Sequence, residues 1–393
     1  MFVNWRLCDW LQKIKKMCGR EIKNIEELFC VSIQIFIRLC CFTKRTENRN
    51  PYFDLDTVSL LHNPMKIMKQ INWGMIGCGN VTEKKSAPAF NKVPHSHLLA
   101  VTNRTPEKAK SYAERFGVPR WYSTAEELIA DSEVNAIYIA TPPDSHLAYT
   151  LQAADAGKPV YVEKPMARTY QECLQMIEAC QKAKVPLFVA YYRRYLPKFL
   201  KVKQLLEQKA IGEPRFVSIC LTSPPKKGDT NKENLPWRVI PEIAGGGHFY
   251  DLAPHQLDIL DFFFGKIVKA EGFSTNQAHL YPAEDLVTGA FAFESGVLGC
   301  GVWCFTTSEK GIKDEILIEG SQGNIRFATF DGEPVMLDNE NGRQFFAEET
   351  PENIQLYLIQ AIVNELLGRE KCLSTGISGA RTNWVLEQLN KRI

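Results

Sequence analysis

Among its twelve cysteines the chain has no C-x-x-C pair, and none stands at zinc spacing with a histidine partner. This excludes the common zinc and dithiol motifs and points to a reducing compartment, read here as cytoplasmic. Cys173 and Cys180, seven apart on one helix, and Cys300 and Cys304, four apart in a strand, are read as core packing. A charge excess is missing as well: 47 Lys and Arg against 45 Asp and Glu leave +2, so neither nucleic acid nor an anionic surface is an expected partner. No bilayer-crossing run is found. The apolar stretch from Leu28 to Phe42 is short and carries Gln34 and Arg38, and its flanks do not resemble a secretory signal.

Residues 1–65, with five of the cysteines and little periodicity, read as an extension outside the fold, disordered or not normally made. An amphipathic surface or partner helix there stays open. Met65 or Met68 is the more natural start.

What is present begins with a strand and a glycine turn. Ile71 to Ile76 is short and apolar, and Gly77-Cys78-Gly79-Asn80-Val81-Thr82 follows at once, ahead of a helical stretch from Glu83 to about Lys92. Gly77 and Gly79 permit a tight turn and a close backbone approach to a pyrophosphate. Asn80 and Val81 lead into the helix N-terminus on which it would rest. The third glycine of G-x-G-x-x-G is absent, replaced by Thr82, which makes the match loose. A carboxylate is absent too from the tip of the next strand, His97 to Thr102, which ends at Asn103-Arg104-Thr105. An acid there would read the ribose of NAD, whereas a guanidinium can bind a 2′-phosphate bidentately. NADP(H) is therefore expected, with NAD(H) as the alternative.

The βα pattern repeats. Ala136 to Ala140 precedes Thr141-Pro142-Pro143 and His146; Val160 to Val162 precedes Glu163-Lys164-Pro165; Leu187 to Ala190 is a further strand. Strands alternating with helices of this length predict a parallel doubly wound sheet, and Lys164 would stand in the crevice at its carboxyl edge. In the second half, strand candidates run over 215–221, 267–273, 286–294, 297–306, 314–319 and 324–328, with helices at about 352–367 and 379–389. Their close spacing and glycine turns signal a meander. Within this half Asp251 and His255 are four apart, on one helix face, just after Gly245-Gly246-Gly247. Pro254 places that helix start near residue 250.

These motifs, together with Tyr192-Arg193-Arg194-Tyr195, Pro197 and Trp237-Arg238, resemble the glucose–fructose oxidoreductase/inositol dehydrogenase (Gfo/Idh/MocA) family from about residue 69 to the end. The resemblance implies a Rossmann domain over 69–190 and an α/β substrate and oligomerisation domain over 191–393. That second domain would carry an open, mostly antiparallel sheet through which a homo-oligomer forms. Implied cofactor contacts are Gly77, Gly79, Asn80, Val81, Asn103, Arg104, Thr141, Pro142, Pro143, His146, Glu163 and Lys164.

The expected reaction moves a hydride between nicotinamide and a sugar, polyol or related carbinol or carbonyl carbon. Lys164, Asp251 and His255 are the catalytic candidates. His255 is the candidate general acid/base, because histidine titrates near neutrality. Lys164 either stabilises the developing oxyanion or carries the proton itself. Asp251 orients the histidine or binds a substrate hydroxyl, Glu163 buttresses Lys164 or the cofactor ribose, and Arg194, Trp237 and Arg238 face the substrate. No metal is expected. Two further readings stay open: a nucleotide-binding regulator or sensor on the same scaffold, and a dihydrodiol- or anhydrosugar-type reductase.

Overall fold

The first strand, β1 (Ile71–Ile76), is buried on both faces, which is why its sequence runs apolar rather than alternating. The structure, a computed structural model, describes residues 68–393; the expectations for residues 1–65 lie outside them. Around β1 gather β2 (Ser96–Thr102), β3 (Arg120–Tyr122), β4 (Ala136–Ile139), β5 (Val160–Val162) and β6 (Leu187–Val189). Their order is β3-β2-β1-β4-β5-β6 and every pairing is parallel. The order reverses between β1 and β4, the switch point where such sheets open a ligand crevice.

The connecting helices are α1 (Ala87–Lys92), α2 (Pro106–Phe116), α3 (Ala125–Ala130), α4 (His146–Asp155) and α5 (Tyr170–Ala183). The stretch expected to be one helix from Glu83 begins instead as a π-helical turn, Thr82–Ser86. Pro88 explains this: it has no N–H for the carbonyl of Lys84, and its ring crowds that oxygen. Lys84 O accepts a hydrogen bond from Asn353 Nδ2 at 2.8 Å.

The second half holds α6 (Pro197–Glu207), β7 (Pro214–Thr222), α7 (Pro241–Ala244), α8 (Gly247–Phe264), β8 (Ile267–Thr275), β9 (Leu286–Phe293) and β10 (Leu298–Cys304). After them come β11 (Lys313–Gly320), β12 (Gly323–Phe327), β13 (Val335–Asn339), β14 (Gly342–Phe346), α9 (Leu356–Leu366) and α10 (Gly376–Leu389). The strands form one sheet, β14-β13-β12-β11-β7-β10-β9-β8, in which only β7 and β10 run parallel. The mostly antiparallel sheet is as expected; β13 and β14 extend it. The helix α8 starts at Gly247, not near residue 250, so Pro254 lies in its interior.

On β10, Gly299, Gly301 and Trp303 face the core, while Leu298, Cys300 and Val302 are exposed. The core-packing expectation for Cys300 is therefore corrected, because Trp303 claims the inner face and period-two alternation turns Cys300 outward. Cys173 and Cys180 are buried, as read. The chain's last part returns to the first sheet. Thr375 bridges Phe188 on the edge strand β6, and Ser374 Oγ donates to Val189 O at 2.7 Å.

Candidate active site

A cleft of about 690 Å³ opens at the carboxyl ends of β1, β2, β4 and β5. Gly77 has φ +105°, and a Cβ there would lie 2.8 Å from Ala140 O, so only glycine fits the turn. A Cβ on Gly79 would meet nothing within 4 Å; this backbone faces open cleft, the concave approach a pyrophosphate requires. Thr82 does not spoil the turn. Its hydroxyl donates to Gly79 O at 2.7 Å, closing the loop from inside. The residues thus fit a dinucleotide. Asn80, Val81, Asn103, Arg104, Thr141 and Pro142 share this wall. Asn103 Oδ1 accepts from Thr105 N at 3.0 Å, which shapes the β2 tip.

Lys164, carried at the end of β5 beyond Glu163, points across the cleft. Its Nζ lies 2.6 Å from Asp251 Oδ1 and 2.8 Å from Asp251 O. Arg238 Nε reaches the other carboxylate oxygen at 3.2 Å. Burial alone would raise the Asp251 pKa, but the charges of Lys164 and Arg238 overcome it and hold the carboxyl well below the usual range. Lys164 and Asp251 are largely shielded, with side-chain exposures of 14% and 17%. Trp237 and Arg238 complete the far wall, with the guanidinium stacked 4.4 Å from the indole centroid.

Glu163 turns into a buried polar network. Tyr138 OH and Gln355 Nε2 each donate to Oε1 at 2.7 Å, and Tyr161 OH donates to Gln355 Oε1 at 2.6 Å. Its contact with Lys164 is through the backbone N–H, at 3.3 Å.

Four expected residues lie elsewhere. His255 does not meet Asp251, whose oxygens are taken by the two cations. Its ring is buried beside Tyr192 and Phe330, with centroids 5.3 and 5.8 Å away. Burial first, then the charges of Arg193 and Lys164, keep its pKa well below the ordinary histidine value. Arg194 does not line the cleft. It is buried, with Nη2 2.7 Å from Asp258 Oδ1 and 3.0 Å from Asp261 Oδ1, tying α8 to the chain after β6. His146 is fully buried, with Nε2 2.9 Å from Thr141 O and Nδ1 3.1 Å from Met166 O, so it supports the cleft wall from behind. Pro143 is also buried, opening a 3-10 turn.

Lys108, Thr124 and Tyr149 also line the cleft. The first was legible in principle, since Lys108 stands one turn after Arg104. Thr124 comes from the cap of α3 and Tyr149 from the first turn of α4, and the reach of each depends on packing. Among the described residues no group of His, Cys, Asp and Glu could hold a metal.

Residues 71–191 match the family model described as "Oxidoreductase family, NAD-binding Rossmann fold", and residues 199–326 match the GFO/IDH/MocA C-terminal domain. The chain belongs to the Gfo/Idh/MocA oxidoreductases. Within this family, Oxidoreductase P35 of Formosa agariphila is 40% identical over 301 residues, covering 76% of the chain and 91% of the relative. Myo-inositol 2-dehydrogenase of Thermotoga maritima is 27% identical over 274 residues, 68% of the chain and 78% of the relative. Among solved structures, the aldose-aldose oxidoreductase of Caulobacter crescentus complexed with glycerol superposes with a TM-score of 0.71 at 26% identity, covering 81% of this chain and 96% of that one. The Gfo/Idh/MocA chain described here is thus an NAD(P)-binding oxidoreductase, and no helix among its described residues is long and apolar enough to cross a membrane.

Proposed function

We propose that this cleft oxidises or reduces a sugar, polyol or related carbinol carbon, with Lys164 managing the proton. When bound, the nicotinamide cofactor accepts or delivers the hydride. The observation carrying the reading is the Lys164–Asp251 contact at the mouth of the glycine turn. Lys164 Nζ faces the cleft beside Asp251, placed as an ammonium to donate a proton to a carbonyl oxygen and, in the reverse direction, as a neutral amine to receive the proton of a hydroxyl. Asp251 orients that ammonium and balances its charge. His255, sealed among aromatic rings, stays a neutral member of the wall behind it. A polyol or sugar substrate agrees with the activities named for the inositol and aldose relatives. An intact lysine–aspartate pair favours catalysis over a sensor role.

The cofactor preferred is NADP(H). Arg104 and Lys108 line the cleft at the β2 tip, which itself carries no carboxylate, while Glu126 and Asp144 line the same cleft from other elements. A second copy of the chain fits the outer face of the larger sheet, where Phe216 on β7 stands in register with Leu298 on β10 and both are exposed. The seven free thiols of the described residues support a reducing, cytoplasmic setting.

The test is a titration with NADPH and with NADH, followed by cofactor fluorescence, on the parent and on Arg104→Ser. Tighter NADPH binding, lost by roughly tenfold or more in Arg104→Ser, is expected because a charge-assisted hydrogen bond disappears. A preference for NADH untouched by the substitution overturns the NADP reading. Turnover of a sugar and polyol panel by the parent, lowered by roughly 10²- to 10⁴-fold in Lys164→Met, tests the chemistry.

A further inference from the structure

The loop between β7 and α7, residues 223–240, supplies Trp237 and Arg238 to the cleft, yet it belongs to neither large core. A separate small cluster packs beneath it: Val239, Tyr281 and Ala283, with Leu235 and Leu280 against them. The start of α8 closes on this cluster through Gly247, where a Cβ would lie 2.6 Å from that of Ala283. Two polar ties join this loop to α8: Arg238 Nε to Asp251 Oδ2 in the cleft, and a buried one beneath it. His248 Nε2 lies 2.9 Å from Asp229 Oδ2, and the side chains are only 2% and 1% exposed. The same carboxylate oxygen accepts from Lys226 N at 2.8 Å, closing the turn that presents it. The imidazole stands edge-on to Tyr281, 5.7 Å between centroids, and 5.5 Å from Phe305.

We propose that His248 and Asp229 form a latch that seats the 223–240 loop on α8, making both positioning residues for the substrate wall. His248 is three residues before Asp251, so one stretch of helix fixes the loop and the Lys164 partner together. The small cluster buries few apolar side chains, so the loop's seat depends on its polar ties, and of the two the His248–Asp229 bond is the one shielded from solvent. Breaking one side of a buried bond to a carboxylate also leaves the other group unpaired. The wall so held offers an indole, a guanidinium and a carboxylate, a combination suited to a hydroxyl-rich ring. This last point rests on the substrate side proposed above; the latch itself does not.

Hydrogen–deuterium exchange of the full chain, with NADPH as the probe ligand, decides it. His248→Phe keeps the ring packing and loses the donor, Asp229→Ala removes the acceptor, and His248→Gln keeps a donor at the Nε2 position. Amides of residues 226–239 are expected to exchange about tenfold faster in His248→Phe and Asp229→Ala. The double variant should be no faster than either single one, and His248→Gln should return to within about threefold of the parent. Peptides from β1 to β6 and NADPH binding should stay unchanged. Equal exchange in every variant overturns the latch. Faster exchange throughout the chain, unrescued by His248→Gln, also overturns it by making the pair part of the general core. Failure of the parent to bind NADPH would sink the proposed function while leaving the exchange result decisive for the latch.

Discussion

Lys164 Nζ is held by Asp251 from two directions, at 2.6 Å by a carboxylate oxygen and at 2.8 Å by the backbone carbonyl. A strand end of the nucleotide half and a helix of the other half therefore meet in one ammonium. Lys164→Met should lower kcat by roughly 10²- to 10⁴-fold, the usual worth of a positioned proton-transfer group. Cofactor binding should change little. Steady-state turnover beside a fluorescence titration checks both.

Acid should weaken the fold in two windows. His146, His248 and His255 each have a pKa lowered by burial from the ordinary 6.5, so the unfolded chain binds protons that the folded chain refuses. Stability should fall as pH drops below about 6.5, at no more than about 1.4 kcal/mol per pH unit for each histidine. Asp251 acts lower down. Its folded pKa lies below the ordinary 3.8, so its contribution is complete above that value and is lost as pH falls through the depressed one. Urea unfolding at pH 7.5, 5.5, 4 and 2 should show a shallower first window in His255→Gln. Asp251→Asn should flatten only the second. An identical pH dependence in His255→Gln would sink the account of that ring.

Arg194 should matter to stability rather than to the substrate. Its guanidinium is buried between Asp258 and Asp261, and removing one partner of such a set typically costs about 3–5 kcal/mol. Arg194→Leu should lose stability on that order in chemical denaturation. Its folded fraction should keep a KM within about threefold of the parent; a large KM rise would restore the substrate-contact expectation.

The outer sheet face offers the simplest assembly test. Leu298→Arg puts a charge where a second copy would pack, and should halve the mass seen by light scattering. The exposed Cys300, two residues along the same face, should then alkylate faster. A parent that is already monomeric would end the oligomer proposal.

Much of this was legible in the chain, for physical reasons. Buried parallel strands must be apolar runs, and a strand followed by Gly77-x-Gly79 has few other uses, so the nucleotide half could be read strand by strand. Lys164 and Asp251 were both visible as candidates, but not their contact, because it joins residues 87 apart in sequence. The pairing of Asp251 with His255 was a one-helix inference, overruled by cations from two other elements. Arg194 misled for the same reason, since its carboxylates arrive from α8. Alternation on β10 identified a strand without saying which phase faced inward; Trp303 held that information. Pro88 held the clue to the π-helical turn.

The return of the chain's last part to the first sheet bears on how such enzymes could be recombined. Gln355 holds Glu163, Asn353 holds the turn after the glycines, and Ser374 and Thr375 dress the edge strand β6. A chimera that took only the contiguous nucleotide segment would leave these groups behind. It would import an edge strand bared to other chains and a carboxylate stripped of its amide. A viable graft must be assembled from three separate stretches of sequence.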